Sequence, residues 1–196
     1  MKHPKQEKTV LIVKPDGVKR GLMGEVISRI ESRGLKIIAL EMVQVSKREA
    51  DTHYPKDKEW IEGLGKNTLK TYDKYGHSPK KELGTDSALA IGRMVRAWLI
   101  EYFVSGPVVK MVIEGVHAID MTRKIVGPTI PSFAEMGTIR GDFSVDSPVS
   151  ANFEKRSVHN LVHASGNPEE SRHEIGHWFK KSQIHSYNRS EENLMF

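Results

Sequence analysis

The chain has 196 residues, no cysteine, and 30 Lys plus Arg against 25 Asp plus Glu, a formal net charge of +5. Its length supports one core, read as a single domain over 1–196. The lack of cysteine excludes disulfides and thiolate metal sites, and no run approaches the eighteen apolar residues of a membrane span. The opening MKHPKQEKTV lacks the apolar centre of a signal peptide, so a cytoplasmic location is expected. The positive balance favours anionic ligands, whether nucleotides, phosphates or nucleic acid, and does not choose among them.

In chain order, residues 9–14 form an apolar run that ends at Lys14-Pro15, a strand stopped by proline. Leu22, Val26 and Ile30 recur at four-residue spacing up to Gly34, an amphipathic helix with a glycine stop. Leu35 to Val45 reads as a second strand. Ser46 to Glu49 is a capping box that should open a short helix with His53 and Tyr54 near its end. Residues 55–87 are polar and lysine-rich, contain four glycines, and show no sustained period. Helical spacing returns from Ala88 to Phe103 and stops before Gly106-Pro107. Val108 to Ile113 is a third strand, Val116 to Val126 a helix, and 128–156 a loop. Ser157 to Ser165 reads as a short buried strand, and Pro168-Glu169 open a last helix that carries Glu174. With the short elements taken as accessories, this order gives an α+β fold: a ferredoxin-like βαββαβ sandwich with a four-stranded antiparallel sheet.

His163 is the candidate centre of the chemistry. It lies at a strand end, with Asn160 before it, Ser165 after it, and Glu174 eleven residues on. A neutral imidazole is a competent nucleophile near pH 7, and a carboxylate on its far nitrogen fixes the tautomer. Three further blocks stand in order around it: Lys14-Pro15-Asp16-Gly17 followed by Arg20-Gly21, then Ser105-Gly106-Pro107-Val108-Val109, then Gly137-Thr138-Ile139-Arg140-Gly141-Asp142-Phe143. Together with Asn160-x-x-His163-x-Ser165 they resemble the nucleoside diphosphate kinase family over roughly residues 8–179.

That resemblance implies the ferredoxin-like fold and a ping-pong transfer. His163 takes the γ-phosphoryl of a nucleoside triphosphate such as ATP and passes it to a nucleoside diphosphate. It also implies that Lys14, Arg123, Thr129, Arg140 and Asn160 bind nucleotide, and that Glu174, Tyr54 and Ser165 orient the histidine. Mg²⁺ should enter on the nucleotide, with no dedicated protein metal site. A homo-oligomer, tetramer or hexamer, is implied as well.

The chain departs from the family pattern in places. The phenylalanine that stacks the base falls, counted back without gaps from Leu99, on Val95; Arg96, Trp98 or a residue of an insertion could replace it. Segments of about 55–90 and 146–156 read as insertions, and 180–196 as a polar tail that wraps a neighbour or stays loose.

Two rival readings start from other residues. His173-Glu174-Ile175-Gly176-His177 matches H-E-x-x-H, the signature of helical zinc hydrolases, though no third ligand stands at a persuasive spacing. Lys56, Lys58, Lys66, Lys70, Lys74, Lys80 and Lys81 could track the phosphates of a nucleic acid, although neither central strand carries an aromatic RNA platform.

Overall fold

The apolar run near the start is an inner strand, and its residues divide strictly between two cores. In the computed structural model, which describes residues 5–190, strand β1 (Gln6–Val13) sends Leu11 and Val13 to one face of a sheet and Val10 and Ile12 to the other. All four are fully buried, which is why the run shows no polar alternation. Each such side chain contributes about 1.5–3 kcal/mol of burial free energy.

Two short helices, α1 (Pro15–Lys19) and α2 (Met23–Ser32), lead to strand β2 (Lys36–Val43). Helix α3 (Lys47–His53) opens on the expected capping box: Ser46 Oγ accepts the Glu49 N–H, and Glu49 accepts the Ser46 N–H. Helices α4 (Lys58–Lys74), α5 (Pro79–Leu83) and α6 (Ala88–Phe103) precede strand β3 (Val108–Val116) and helix α7 (Ala118–Val126). Then come α8 (Ile139–Phe143), α9 (Pro148–Phe153), strand β4 (Val162–Ala164) and α10 (Pro168–Trp178). The sheet order is β2-β3-β1-β4 and every pair is antiparallel, the βαββαβ arrangement expected. Helices α2 and α7 cover one face; α3, α6 and α10 cover the other.

Residues 58–74 correct the expectation of an aperiodic segment, because they form a 17-residue helix. Its inner line runs through Trp60, Leu64, Thr68 and Tyr72, with Gly65 beside it, so its packing face carries little of the apolar signal that periodicity detects. The glycines are the contact itself. A Cβ on Gly65 would lie 1.7 Å from the Ala88 carbonyl oxygen, and one on Gly92 1.8 Å from that of Ile61. Helices α4 and α6 therefore cross in backbone contact, and any side chain at either position would force them apart. The loop expected over 128–156 likewise holds α8 and α9, too short at five and six residues to show a period.

The tail turns back onto its own chain. His185 N–H donates to the Ile38 carbonyl at 2.8 Å and the Tyr187 hydroxyl to that of Ile37 at 3.0 Å. It thus covers the first half of the β2 edge and leaves Leu40 and Met42 half exposed. Residues 191–196 of the expected tail lie outside the described residues.

Candidate active site

Two strand ends meet to make the site. Strand β1 stops where Pro15 begins α1, which leaves Lys14 at the junction, and β4 is only three residues long with His163 opposite Ile12. Since Ile12 faces the core that contains Phe103 and Trp178, so does the imidazole. Lys14 Nζ donates to Asn160 Oδ1 at 2.8 Å, and Asn160 Nδ2 donates to the Thr129 carbonyl at 2.9 Å. The structure thereby brings Lys14, Asn160 and Thr129 into one chain of contacts. Burial, reinforced by the Arg140 cation and opposed by Asp16, lowers the Lys14 pKa to about 7. An anionic ligand would restore its charge.

His163 Nε2 lies 2.7 Å from Glu174 Oε1, and the Ser165 hydroxyl donates to Glu174 Oε2 at 2.6 Å. A carboxylate accepts, so Nε2 carries the proton and Nδ1 keeps its lone pair. Burial first, and then the Lys14 ammonium, hold the imidazole pKa well below its ordinary value, so the ring is neutral. Burial also pushes the Glu174 carboxyl upward, against the pull of His53 and the Ser165 hydroxyl.

Tyr54 does not hydrogen-bond to His163. Its hydroxyl is buried without a hydrogen-bond partner among the described residues, while its ring lines the cleft. The aromatic residue that does meet the His163 ring is His53, which is not among the expected site residues. Its ring stands edge-on to His163 with centroids 4.6 Å apart, and its Nδ1 lies 3.5 Å from Glu174 Oε1. A buried histidine at the end of a capped helix carries no separate sequence signal.

The Arg140 guanidinium is engaged mainly by backbone carbonyls. Its Nε, Nη1 and Nη2 donate to the carbonyls of Asn160, Gly127 and Val162 at 3.0, 2.7 and 2.6 Å. It braces the backbone around β4 and still lines the cleft, where two N–H groups are left over for a ligand. Arg123 lines the same cleft beside Gly166.

The cleft has a volume of about 1340 Å³, and its lining combines the polar Lys14, His163, Arg123 and Arg140 with the apolar Trp60, Leu64, Leu99 and Phe133. Val95, Arg96 and Trp98 do not line it. The Arg96 guanidinium is committed to Asp51 at 2.8 Å and to the Pro55 carbonyl at 2.9 Å. Trp60 does line the cleft, 29° from parallel with Tyr54 at a centroid distance of 6.4 Å. Trp60 belongs to the segment of about 55–90 expected to be an insertion, whereas the ungapped count from Leu99 stops at Val95, short of that segment.

The H-E-x-x-H residues do not converge. Glu174 faces inward to His163, His173 is exposed, and a ring nitrogen of His177 lies 3.2 Å from the Glu49 carbonyl. Among the described residues, the one group of metal-ligating atoms is His53, His163 and Glu174, within 4.8 Å of one another. Two nitrogens and one oxygen do not suit Mg²⁺, which asks for oxygen. The lysine-rich segment is partly self-paired, with Lys56 on Asp51 and Lys66 on Glu62. Both faces of the central strands are covered by helices, so the sheet offers no platform for RNA bases.

The sequence profile of the family described as Nucleoside diphosphate kinase matches residues 7–62 and 91–184. A nucleoside diphosphate kinase of Pyrobaculum aerophilum is 49% identical over 178 residues, 91% of this chain and 97% of that protein. The crystal structure of an NDP kinase from the same organism superposes with a TM-score of 0.90 at 47% identity, covering 92% of this chain and all of the other. A Borrelia burgdorferi nucleoside-diphosphate kinase, solved as a transition-state mimic with vanadate and ADP, superposes with a TM-score of 0.76 at 36% identity, covering 97% and 96%.

Proposed function

Because the chain belongs to the nucleoside diphosphate kinase family and is a phosphotransferase acting on nucleotides, we propose that its transfer runs in two half-reactions through a phosphohistidine at His163. The observation that carries this reading is the imidazole at the cleft wall with Nε2–H held by Glu174 at 2.7 Å. Nδ1 is then the nitrogen left to attack. It forms a bond to the γ-phosphorus of a nucleoside triphosphate such as ATP, the bond to the β–γ bridging oxygen breaks, and a nucleoside diphosphate leaves. A second diphosphate takes the phosphoryl group by the reverse path.

Phosphoryl transfer asks the protein mainly for position and positive charge. Lys14 and the remaining N–H groups of Arg140 supply charge at the transferring group, and Arg123 and Thr129 hold the phosphates behind it. Asn160 keeps Lys14 in place and meets the sugar side. The unpartnered Tyr54 hydroxyl offers a donor to a phosphate oxygen. Glu174, with Ser165 behind it, fixes the tautomer.

A divalent metal ion accompanies the nucleotide in this family, and Mg²⁺ is the ion we propose. The cleft fits an ion carried on phosphate: its walls are cationic at Lys14, Arg123, Lys124 and Arg140, and its carboxylates Asp120, Glu135 and Glu170 form no ligand cluster. When bound, the ion would neutralise charge between neighbouring phosphates.

A homo-oligomer, tetramer or hexamer, is proposed on the half-exposed Leu40 and Met42 of the β2 edge and on the exposed Phe133 and Met136. No helix of the described residues is long and apolar enough to cross a membrane; a cytoplasmic location is proposed. The segment of about 55–90, of which 63–90 lie outside the family match, is proposed as an insertion decorating a single kinase domain, with 146–156 as a second, and nucleic-acid binding as at most a side activity of the lysines.

Incubation with Mg²⁺ and γ-labelled ATP without acceptor tests the reading. The expected product is an acid-labile, base-stable label that a nucleoside diphosphate removes. Folded protein that takes up no label would overturn the two-step path.

Trp60 is proposed as the base platform. Trp60→Ala should raise the nucleotide KM about tenfold with kcat within threefold, because stacking contributes about 1–3 kcal/mol per base. An unchanged KM would remove the ring from the base site.

A further inference from the structure

The phosphate-binding and orienting roles leave Asp16 without a task, yet its carboxylate lies under the backbone that carries the nucleophile. Leu161 has φ 67°, in the left-handed region that L-residues with side chains rarely adopt. The Val162 N–H donates to the Asn160 carbonyl at 2.7 Å, across a single residue. A positive φ inside such a three-residue ring is the rare, strained form of the γ-turn. Strain of this kind persists only where the surroundings over-determine it, and here they do. The Leu161 N–H donates to Asp16 Oδ2 at 3.1 Å, its carbonyl accepts the Lys14 N–H at 2.8 Å, and its side chain is buried in the core. The other Asp16 oxygen accepts the Tyr102 hydroxyl at 2.5 Å.

An aspartate in the first turn of a helix is favoured by the helix dipole alone. Here, however, the two carboxylate oxygens of Asp16 are engaged by groups 86 and 145 positions away in the chain. The turn they hold has Asn160, the partner of Lys14, on one side and His163 two residues beyond on the other. If Leu161 relaxed to negative φ, the direction of the chain between Asn160 and His163 would change, and the two could not keep their present relation.

We infer that Asp16 is a positioning residue: by holding the Leu161 amide it maintains the γ-turn that aims Asn160 and His163 at the same phosphate. This rests on His163 as the nucleophile. Tyr102 orients the carboxylate, and a Cβ on Gly17 would stand 3.0 Å from the Leu161 carbonyl oxygen, so the chain approaches too closely there for a side chain.

Three variants test this, each read by the rate of His163 phosphorylation at saturating Mg-ATP, by the ATP dissociation constant, and by exchange of the Leu161 and Val162 amide hydrogens. Asp16→Ala should slow phosphorylation about 100-fold, the scale of an ångström's misplacement, with ATP affinity within threefold and both amides exchanging faster. Asp16→Asn should come within tenfold of the parent, since its amide oxygen still accepts the Leu161 N–H while the Tyr102 hydroxyl turns to accept from Nδ2. Adding Leu161→Gly to Asp16→Ala should recover at least tenfold, because glycine takes positive φ without strain. The inference is overturned if Asp16→Ala phosphorylates within threefold of the parent, or if glycine deepens the loss in folded protein. Should the glycine variant fail to fold, a loss in Asp16→Asn equal to that in Asp16→Ala overturns it instead. A parent label that maps to a residue other than His163 defeats the nucleophile reading alone, and the amide exchange still decides whether Asp16 holds the turn.

Discussion

His163→Ala is expected to abolish transfer, with a loss of about 10⁵–10⁶-fold, the scale seen when the nucleophile of a covalent mechanism is removed. The proposed path has no second route. Lys14 donates to Asn160 and Arg140 to three carbonyls, and neither can take up a phosphoryl group in line. His53 stands beside His163, but it is buried. It is absent from the cleft wall, so an incoming phosphate would not meet it.

The variant should still fold, because the imidazole makes one side-chain hydrogen bond, to Glu174, and one close ring contact, to His53. Loss of that packing is expected to lower Tm by a few degrees, about 2–4 °C per kcal/mol for a chain of this size. ATP binding, which the proposed path assigns to Lys14, Arg123, Arg140 and Trp60, should survive within threefold. Labelling with γ-labelled ATP, calorimetric binding and a melting curve on one preparation separate these quantities. A folded, ATP-binding variant that transfers within tenfold of the parent would end the assignment of His163.

The residues proposed to carry this chemistry were readable from sequence because each sits in a block whose spacing survives folding. Lys14 is adjacent to the proline that ends β1, and Asn160 and His163 share one short segment. The sheet was readable for a related reason: Val10–Val13 of β1 and Met111–Ile113 of β3 are buried on both faces of the sheet, and a stretch covered on both faces has to be apolar. What was hidden depends on contacts between distant segments. Helix α4 packs through Gly65 against the Ala88 carbonyl, so the residue that marks the interface looks like a helix breaker. Trp60 reaches the cleft only because α4 docks on α6, and no count along the sequence crosses that docking. The bracing of Arg140 on three carbonyls and the unpartnered hydroxyl of Tyr54 depend in the same way on where β4 lies. The H-E-x-x-H match misled for the converse reason. Its residues are close in sequence, but Glu174 turns inward to His163, His173 stays exposed, and His177 meets the Glu49 carbonyl.

Glu174→Gln is the second large effect, and it separates charge from shape. The carboxylate accepts two short hydrogen bonds, from His163 Nε2 at 2.7 Å and from Ser165 Oγ at 2.6 Å. Glutamine has one acceptor oxygen and one NH₂ group. If the oxygen keeps the Ser165 bond, the NH₂ faces His163 and favours a lone pair on Nε2, so the proton moves to Nδ1 and blocks the attacking atom. If the oxygen keeps the histidine, the NH₂ faces a hydroxyl that already accepts the Val10 N–H at 3.2 Å and must find a new acceptor for its own proton. The first arrangement disturbs the smaller network and should prevail. In either arrangement the negative charge that would stabilise the phosphorylated imidazolium is gone. A wrong tautomer alone lowers a comparable histidine-dependent reaction by about 10⁴-fold, so a loss of about 10²–10⁴-fold in single-turnover phosphorylation is expected, with ATP affinity within threefold. Nitrogen-15 shifts of His163 should report the proton on Nδ1 in the variant and on Nε2 in the parent. A variant that keeps the parent tautomer and phosphorylates within tenfold of the parent would reduce Glu174 to a packing residue.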